Sequence, residues 1–270
     1  MAGALYGPNG FFTRADSPGP AGHFRTSSTA SPLFAGAVAQ VLLRLDADLG
    51  HQATLDVVEI GAGRGELLTA LLGAVPAELA GRLCPLAVEL AARPERLPGA
   101  IGWTDRLPAS VTGLLLAVEW LDNVPCDIVE IDEDDEDAPP RYLLVDPAGA
   151  ERPGPPVEPA DAAWLARWWP LPDCGVRAEL GAARDAAWAD AVSRLRTGLA
   201  VAVDYGHLAA ARPPFGTLTA FRHGREVTPV PDGSCDLTTH VAVDAVAAAG
   251  AAVAGRPPVL VSQRIALRDL

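Results

Sequence analysis

Apolar positions along the chain fall into stretches with two different periods. From 33 to 48 they recur at Phe34, Val38, Val41, Leu42 and Leu45, the stripe of an amphipathic helix, and Ser31-Pro32 in front supplies an N-cap and first-turn pair. Short apolar runs then predict strands at Asp56–Ile60, Leu83–Val88, Ala100–Trp103, Leu114–Val118 and Leu199–Val203. Helical patterns lie between them, at Arg64–Leu72 (with more after Pro76), Asp161–Trp169 and Ala182–Leu195. Cys126–Ile131 and Tyr142–Val145 read as a hairpin, and the Pro/Gly-rich residues 147–160 as a surface crossing. Gly216–Arg222 reads as a strand. Asp236–His240 reads as a helix start capped by Asp236 or Thr238, with the helix stopping at Gly250, and Val259–Leu267 reads as a last strand. Strands alternating with helices predict an α/β fold with a doubly wound, mostly parallel sheet, which binds ligands at the carboxyl ends of its strands.

The first strand runs into Gly61-Ala62-Gly63-Arg64-Gly65-Glu66. Three missing Cβ atoms allow a sharp bend and let a ligand lie against main chain. The spacing is G-x-G-x-G. A dinucleotide loop, G-x-G-x-x-G, would need a glycine where Glu66 stands. Glu59, two residues before the loop, would repel a pyrophosphate and attract a cation. S-adenosylmethionine carries a sulfonium and an ammonium, so it suits this loop better than NAD does. The bland alternative is an ordinary strand-to-helix turn. Glu89 ends the second strand, where a carboxylate can take both ribose hydroxyls of an adenosine. Asp105 follows the third strand, and Glu119 and Asp122 follow the fourth. With Glu59, five carboxylates fall on one sheet edge.

Composition narrows the classes. The 270 residues are 49 % apolar, enough for one large domain. Net charge is −13, and every one of the 21 bases is arginine. An acidic chain lacks the basic footprint that nucleic acid or an acidic membrane surface requires. Cys84, Cys126, Cys174 and Cys235 form no C-x-x-C pair and read as free thiols. No apolar run is membrane-length and no signal pattern opens the chain, so a cytoplasmic location is expected. The five histidines lack metal-ligand spacing. There is no G-x-S-x-G elbow, and the absence of lysine excludes a P-loop. The acidic run 132–137 lacks an EF-hand glycine and reads as a solvated tip. Trp164, Trp168 and Trp169 read as core or lid packing before a cation cage. Residues 1–32 are loop-like yet hold four aromatics, which predicts a segment folded over something, the cofactor included.

Several motifs occur in a fixed order: Phe24-x-Thr26, Ser31-x-Leu33-Phe34, Val58–Leu67, Glu119-x-x-Asp122-x-x-Pro125, Arg177-Ala178-Glu179-Leu180, Asp204-Tyr205-Gly206-His207, Gly216-Thr217-Leu218, Phe221-Arg222-x-Gly224 and Asp236-Leu237-Thr238-x-His240-Val241. From about residue 6 to 245 this order resembles the MidA-like S-adenosylmethionine-dependent methyltransferases. Mitochondrial members of that family act as protein-arginine methyltransferases in respiratory complex I assembly. The resemblance implies a class I (Rossmann-like) methyltransferase fold in one domain. Residues 1–50 would form an N-terminal lid segment and helix, 55–125 the cofactor half, 126–180 an insertion and 181–270 the rest of the sheet. It implies S-adenosylmethionine as cofactor, held by Glu59, Gly61, Ala62, Gly63, Gly65, Glu89, Asp105 and Glu119, with the adenine near Asp105. It also implies a protein acceptor such as a respiratory-complex subunit, while the acidic charge and the short apolar runs argue against nucleic acid and membrane insertion.

A guanidinium has no free lone pair and a pKa above about 12, so two carboxylates would have to orient it and take its proton. Glu119 and Asp122 are the catalytic candidates, with Asp204 and His240 beside them; a helix cap is the alternative role for Asp122. The chain departs from the family pattern at His23, Ser28, Thr29 and Val118. Those departures leave a small-molecule methyltransferase, or a non-catalytic assembly protein that keeps the fold, as alternatives.

Overall fold

The computed structural model describes residues 1–14, 31–132 and 138–270. In chain order the elements begin with α1 (Ala2–Tyr6), α2 (Pro32–Asp48), β1 (Leu55–Ile60), α3 (Glu66–Ala74), α4 (Ala77–Ala80), β2 (Leu83–Val88), β3 (Gly102–Thr104) and β4 (Val111–Val118). A 3-10 turn, Leu121–Asn123, leads to β5 (Ile128–Glu130), β6 (Arg141–Val145), β7 (Glu151–Pro156), α5 (Pro159–Trp168), β8 (Arg177–Glu179) and α6 (Ala182–Ser193). Then come β9 (Leu195–Val203), β10 (Gly206–His207), β11 (Thr219–Arg222), β12 (Arg225–Val227), β13 (Asp236–Thr238), β14 (Val241–Ala242), α7 (Val243–Ala254) and α8 (Gln263–Arg268). Two compact units result, and each is described by itself.

The first unit, residues 31–120, 190–204 and 259–270, is built on a five-stranded sheet of order β3-β2-β1-β4-β9 in which every pairing is parallel. β1 is central, so nearly all of it is buried, as a continuous apolar run requires. Leu55 and Val57 meet Phe34, Val38 and Leu42 of α2 and Leu67, Leu68 and Leu71 of α3 in one core. The α2 stripe read from the sequence is the buried face, and the Ser31 side chain accepts from the Leu33 N–H as the expected cap. At the other end of α2, buried Asp46 receives Arg82 in a two-pronged pair at 2.8 and 2.6 Å. That bonding holds its carboxyl down at about 2.

The second unit, residues 1–14, 121–132, 138–189 and 205–258, carries an antiparallel sheet β7-β6-β5-β8, a second one β12-β11-β13, and a parallel pair β10-β14. The β5–β6 hairpin stands where the sequence put it. Trp164 and Trp169 lie in its core with Val129, Ala178 and Leu180, so the packing reading of the tryptophans holds. Of the aromatics at the chain start, Phe11 is buried with Leu5 against Ala220, Cys235 and Leu237, with Tyr6 and Phe12 packed beside it, while Phe24 and Thr26 lie outside the described residues. All four cysteines are free thiols.

Four expectations are corrected. Residues 151–156 form β7 rather than a crossing, because its prolines lie on the outer strand of the sheet, where missing N–H donors cost nothing. Asp236–Thr238 is a strand: it pairs antiparallel with Thr219–Phe221, and Cys235 and Leu237 alternate into the core. The helix after it starts at Val243, passes through Gly250 and ends at Gly255, the glycine that takes the left-handed conformation at φ +63°. Val259–Leu267 does not pair. Val259 is 85 % exposed, and Ser262 caps the short helix α8. Among the described residues no helix is long and apolar enough to cross a membrane.

Candidate active site

All carboxyl ends of the parallel sheet point to one edge, and there the first unit places the expected cofactor residues. The Gly61 N–H donates to the Val88 carbonyl at 2.9 Å, so the loop leaves β1 still tied to β2. Gly61, Gly63 and Gly65 take φ of +67°, +58° and +77°, a region costly to any residue with a Cβ. Their surroundings differ. A Cβ on Gly61 would lie 2.8 Å from the Trp120 ring, and one on Gly65 2.5 Å from Leu97 Cδ1. At those two glycines the space of the missing Cβ is taken by a side chain of the protein itself. Gly63 alone faces open space, its nearest neighbour being Glu66 Oε2 at 3.6 Å from such a Cβ. Ala62 is buried between them.

Glu89 follows β2. Its Oε2 accepts from the Gly63 N–H at 2.9 Å and its Oε1 from the Ala91 N–H at 3.1 Å, which fixes the carboxylate beside the loop. Each oxygen keeps a second lone pair for a hydroxyl. Asp105 stands exposed after β3, 3.9 Å from Arg106 Nε. Glu59 is buried at the end of β1, and its Oε2 receives no hydrogen bond. Burial, reinforced by the charges of Glu66 and Glu89, pushes its pKa up to about 8. Glu119 follows β4, its N–H on the Val203 carbonyl at 2.8 Å, and holds φ +51°. A non-glycine residue in that region costs roughly 1–3 kcal/mol, which the surrounding structure has to hold in place; His51 and His223 share it, at +54° and +52°. Asp204 is half-buried just past β9.

The other two expected residues belong to the second unit. Asp122 sits in the 3-10 turn, buried, with Thr238 Oγ1 donating to its Oδ2 at 2.8 Å and Asn123 Nδ2 to its Oδ1 at 2.9 Å. It is a tie between the turn and β13, and not the helix cap considered as its alternative role. His240 is exposed, its ring stacked on Tyr205 with centroids 6.3 Å apart. Arg184 of α6 was missed by sequence reading. Its buried guanidinium donates to the carbonyls of Val124, Asp122 and His240 at 3.2, 2.8 and 3.0 Å, and to Thr239 Oγ1. His23, Ser28 and Thr29 lie outside the described residues, as do residues 133–137 of the acidic run.

A parallel sheet of order β3-β2-β1-β4-β9 with a glycine loop after its central strand and acids on its carboxyl edge defines a Rossmann-like methyltransferase. The chain belongs to a family described as "Putative S-adenosyl-L-methionine-dependent methyltransferase", whose model matches residues 37–259. Two crystal structures from Burkholderia thailandensis are similar. One, a methyl transferase candidate bound to S-adenosyl-homocysteine, is 27 % identical with a TM-score of 0.76 over 94 % of this chain and 70 % of that one. The other, a native structure of an uncharacterised protein of the same superfamily, is 27 % identical with a TM-score of 0.73 over 94 % and 69 %. No curated protein matches the sequence.

The cofactor is S-adenosylmethionine, which brings an electrophilic methyl group on a sulfonium. The residues fit it: Gly63 offers bare main chain, Glu89 a fixed acceptor for hydroxyls, and Glu59 an unsatisfied buried oxygen for a cation. Protonation links Glu59 to binding. Its carboxyl is neutral in the empty protein below about pH 8, and a cation beside it favours the ionised form. Cofactor affinity is therefore expected to rise with pH up to about 8, with proton release on binding below that pH. Calorimetry in buffers of different ionisation enthalpy measures the release, and Glu59→Gln is expected to abolish it. The same shift makes the cofactor-free protein more stable near pH 5 than near pH 8, because the unfolded chain ionises Glu59 first as pH rises above 4.5.

Proposed function

We propose that the chain transfers the methyl group of S-adenosylmethionine to an arginine side chain of a protein. The observation that carries this reading is Glu119, a carboxylate held in the left-handed region at the carboxyl end of β4, where ligands of such sheets bind. A methyl acceptor that must be oriented and then lose a proton requires an acceptor group set in advance, and a strained backbone that holds a carboxylate supplies one. The resemblance to arginine methyltransferases, through Glu119-x-x-Asp122 and Asp236-Leu237-Thr238-x-His240, supports the same acceptor. The net charge of −13 favours a basic protein partner.

The test is incubation with S-adenosylmethionine labelled in the methyl group and lysate of the source cells. The reading expects label in a protein band whose acid hydrolysate contains methylarginine, with Glu119→Gln lowering incorporation by about 100-fold or more at unchanged cofactor binding. Label confined to small molecules, by a protein that binds the cofactor, would contradict it.

A further inference from the structure

β9 is an outer strand of the parallel sheet, and among the described residues it pairs with β4 alone. The other outer strand, β3, is three residues long, and a short strand is a common way of blunting an edge. β9 is nine residues long, and from Thr197 to Val203 it carries neither a charge nor a proline. Thr197, Gly198, Leu199 and Ala202 are exposed. The irregularity of its register lies at the start of the strand, opposite Val111 and Thr112. Leu199, Val201 and Val203 share one face, and the last two pack against the core that holds α2. A long, flat, apolar edge of this kind is a template for one more strand.

The same unit holds a segment patterned as a strand and not folded as one. Val259, Leu260 and Val261 pair with no strand and are 85 %, 50 % and 55 % exposed. α8 follows, a helix of six residues with none buried, below the length at which a helix is stable by itself. Read with period two, Val259, Val261, Gln263, Ile265 and Leu267 fall on one face. Leu260, Ser262, Arg264, Ala266 and Arg268 fall on the other. This is the alternation of a half-buried strand, and Val259–Leu267 has the length of β9. The side-chain bonds at its ends are exposed: the Ser262 cap of α8, and those from Arg44 to the carbonyls of Asp269 and Leu270. Exposed bonds are exchanged for water at small net cost.

We propose that Val259–Leu267 of one copy of the chain adds to the β9 edge of a second copy, so that two copies exchange strands in a dimer. Each copy offers one edge and one strand, so the exchange closes with two-fold symmetry. Within its own copy the segment is tied to α2 through Arg44 and leaves β9 open, so the strand that β9 lacks comes from elsewhere. Charge favours the pairing. Thr197–Val203 is uncharged and the segment's one charge is Arg264, a cation brought to a partner of net charge −13. Running parallel to β9 sets Arg264 and Arg268 toward the Asp204 end and away from Arg194 and Arg196, whereas the reverse direction would bring like charges together. Two such additions bury on the order of 1,200 Å², where specific interfaces begin.

Sedimentation velocity of the whole chain over roughly 1–200 μM, with hydrogen exchange at both ends of that range, tests the exchange. The wild type is expected to pass from monomer to dimer, with the amides of 259–267 and 197–203 exchanging more slowly as the dimer forms. Val261→Asp, on the apolar face, is expected to weaken association by about tenfold or more. Leu260→Asp, on the opposite face and almost as exposed in the single chain, is expected to change it by less than about threefold. Ile265→Asp, also on the apolar face and 50 % exposed, is a second probe with the same expectation as Val261→Asp and the same contrary result. A chain that stays monomeric at the highest concentration overturns the proposal, and so does a dimer that Val261→Asp and Leu260→Asp weaken equally. Protection of 259–267 that does not change with concentration would mean that the segment closes on its own β9, and overturns it too.

Discussion

Gly63→Val is expected to weaken S-adenosylmethionine binding by about 100-fold or more while the protein stays folded. Gly63 is the loop glycine whose missing Cβ leaves open space, and at φ +58° its main chain is where a ligand can lie. A branched side chain there would occupy that space, next to the main-chain N–H that donates to Glu89 at 2.9 Å. The cost to the empty fold is limited to the left-handed backbone, roughly 1–2 kcal/mol. For a chain of this size that lowers the melting temperature by only about 2–8 °C. Gly65→Ala should behave in the opposite sense. Its new Cβ, 2.5 Å from Leu97 in a closely packed core, is expected to cost stability first and binding second. Paired calorimetric titrations and melting curves separate the two. Loss of stability without loss of binding at Gly63 would show that the loop is a turn and nothing more.

Arg184→Met is expected to destabilise the second unit by about 3–5 kcal/mol, the largest stability effect of any single side chain considered. The guanidinium is 1 % exposed and its four hydrogen bonds join three separate segments: the turn carrying Asp122 and Val124, Thr239 and His240 after β13, and α6 itself. Methionine keeps much of the volume but leaves the carbonyls of Asp122, Val124 and His240 short of donors. It also removes the positive charge beside Glu179 and Asp122. Arg184→Lys should recover little, because one ammonium cannot span the positions that the planar fork reaches. Scanning calorimetry of both variants measures this. A melting temperature within about 2 °C of wild type for Arg184→Met would mean the network is incidental.

What the sequence made legible was local. The Gly61–Gly65 loop, the Ser31-Pro32 cap and the α2 stripe are written in consecutive residues, and the structure keeps all three. So are the acids that end β1 to β4, because a parallel sheet puts every strand's carboxyl end on one edge. Long-range pairing was not legible. Asp236 and Thr238 look like helix caps until Thr219–Phe221 lies beside them, and then they become one face of a strand. The prolines of 151–156 argue against a strand until it is known to be an outer one. Val259–Val261 looks like a strand because it is apolar, yet no neighbour in the sheet pairs with it. Arg184 carries no signal in an alanine-rich helix, since its value comes from three carbonyls and the Thr239 hydroxyl, all more than 50 residues away in the chain. Even within the glycine loop, composition could not tell which glycine faces open space and which meets Trp120 or Leu97.

The claim on which the rest depends is that the loop and its acids hold a sulfonium nucleoside and not a dinucleotide. Titrating S-adenosylmethionine and NAD separately into the wild-type protein tests it most directly. One equivalent of S-adenosylmethionine should bind and raise the melting temperature, NAD should produce neither effect, and Glu89→Ala should abolish the response. A protein that takes NAD in preference, or whose melting temperature does not move with S-adenosylmethionine at millimolar concentration, would contradict the account.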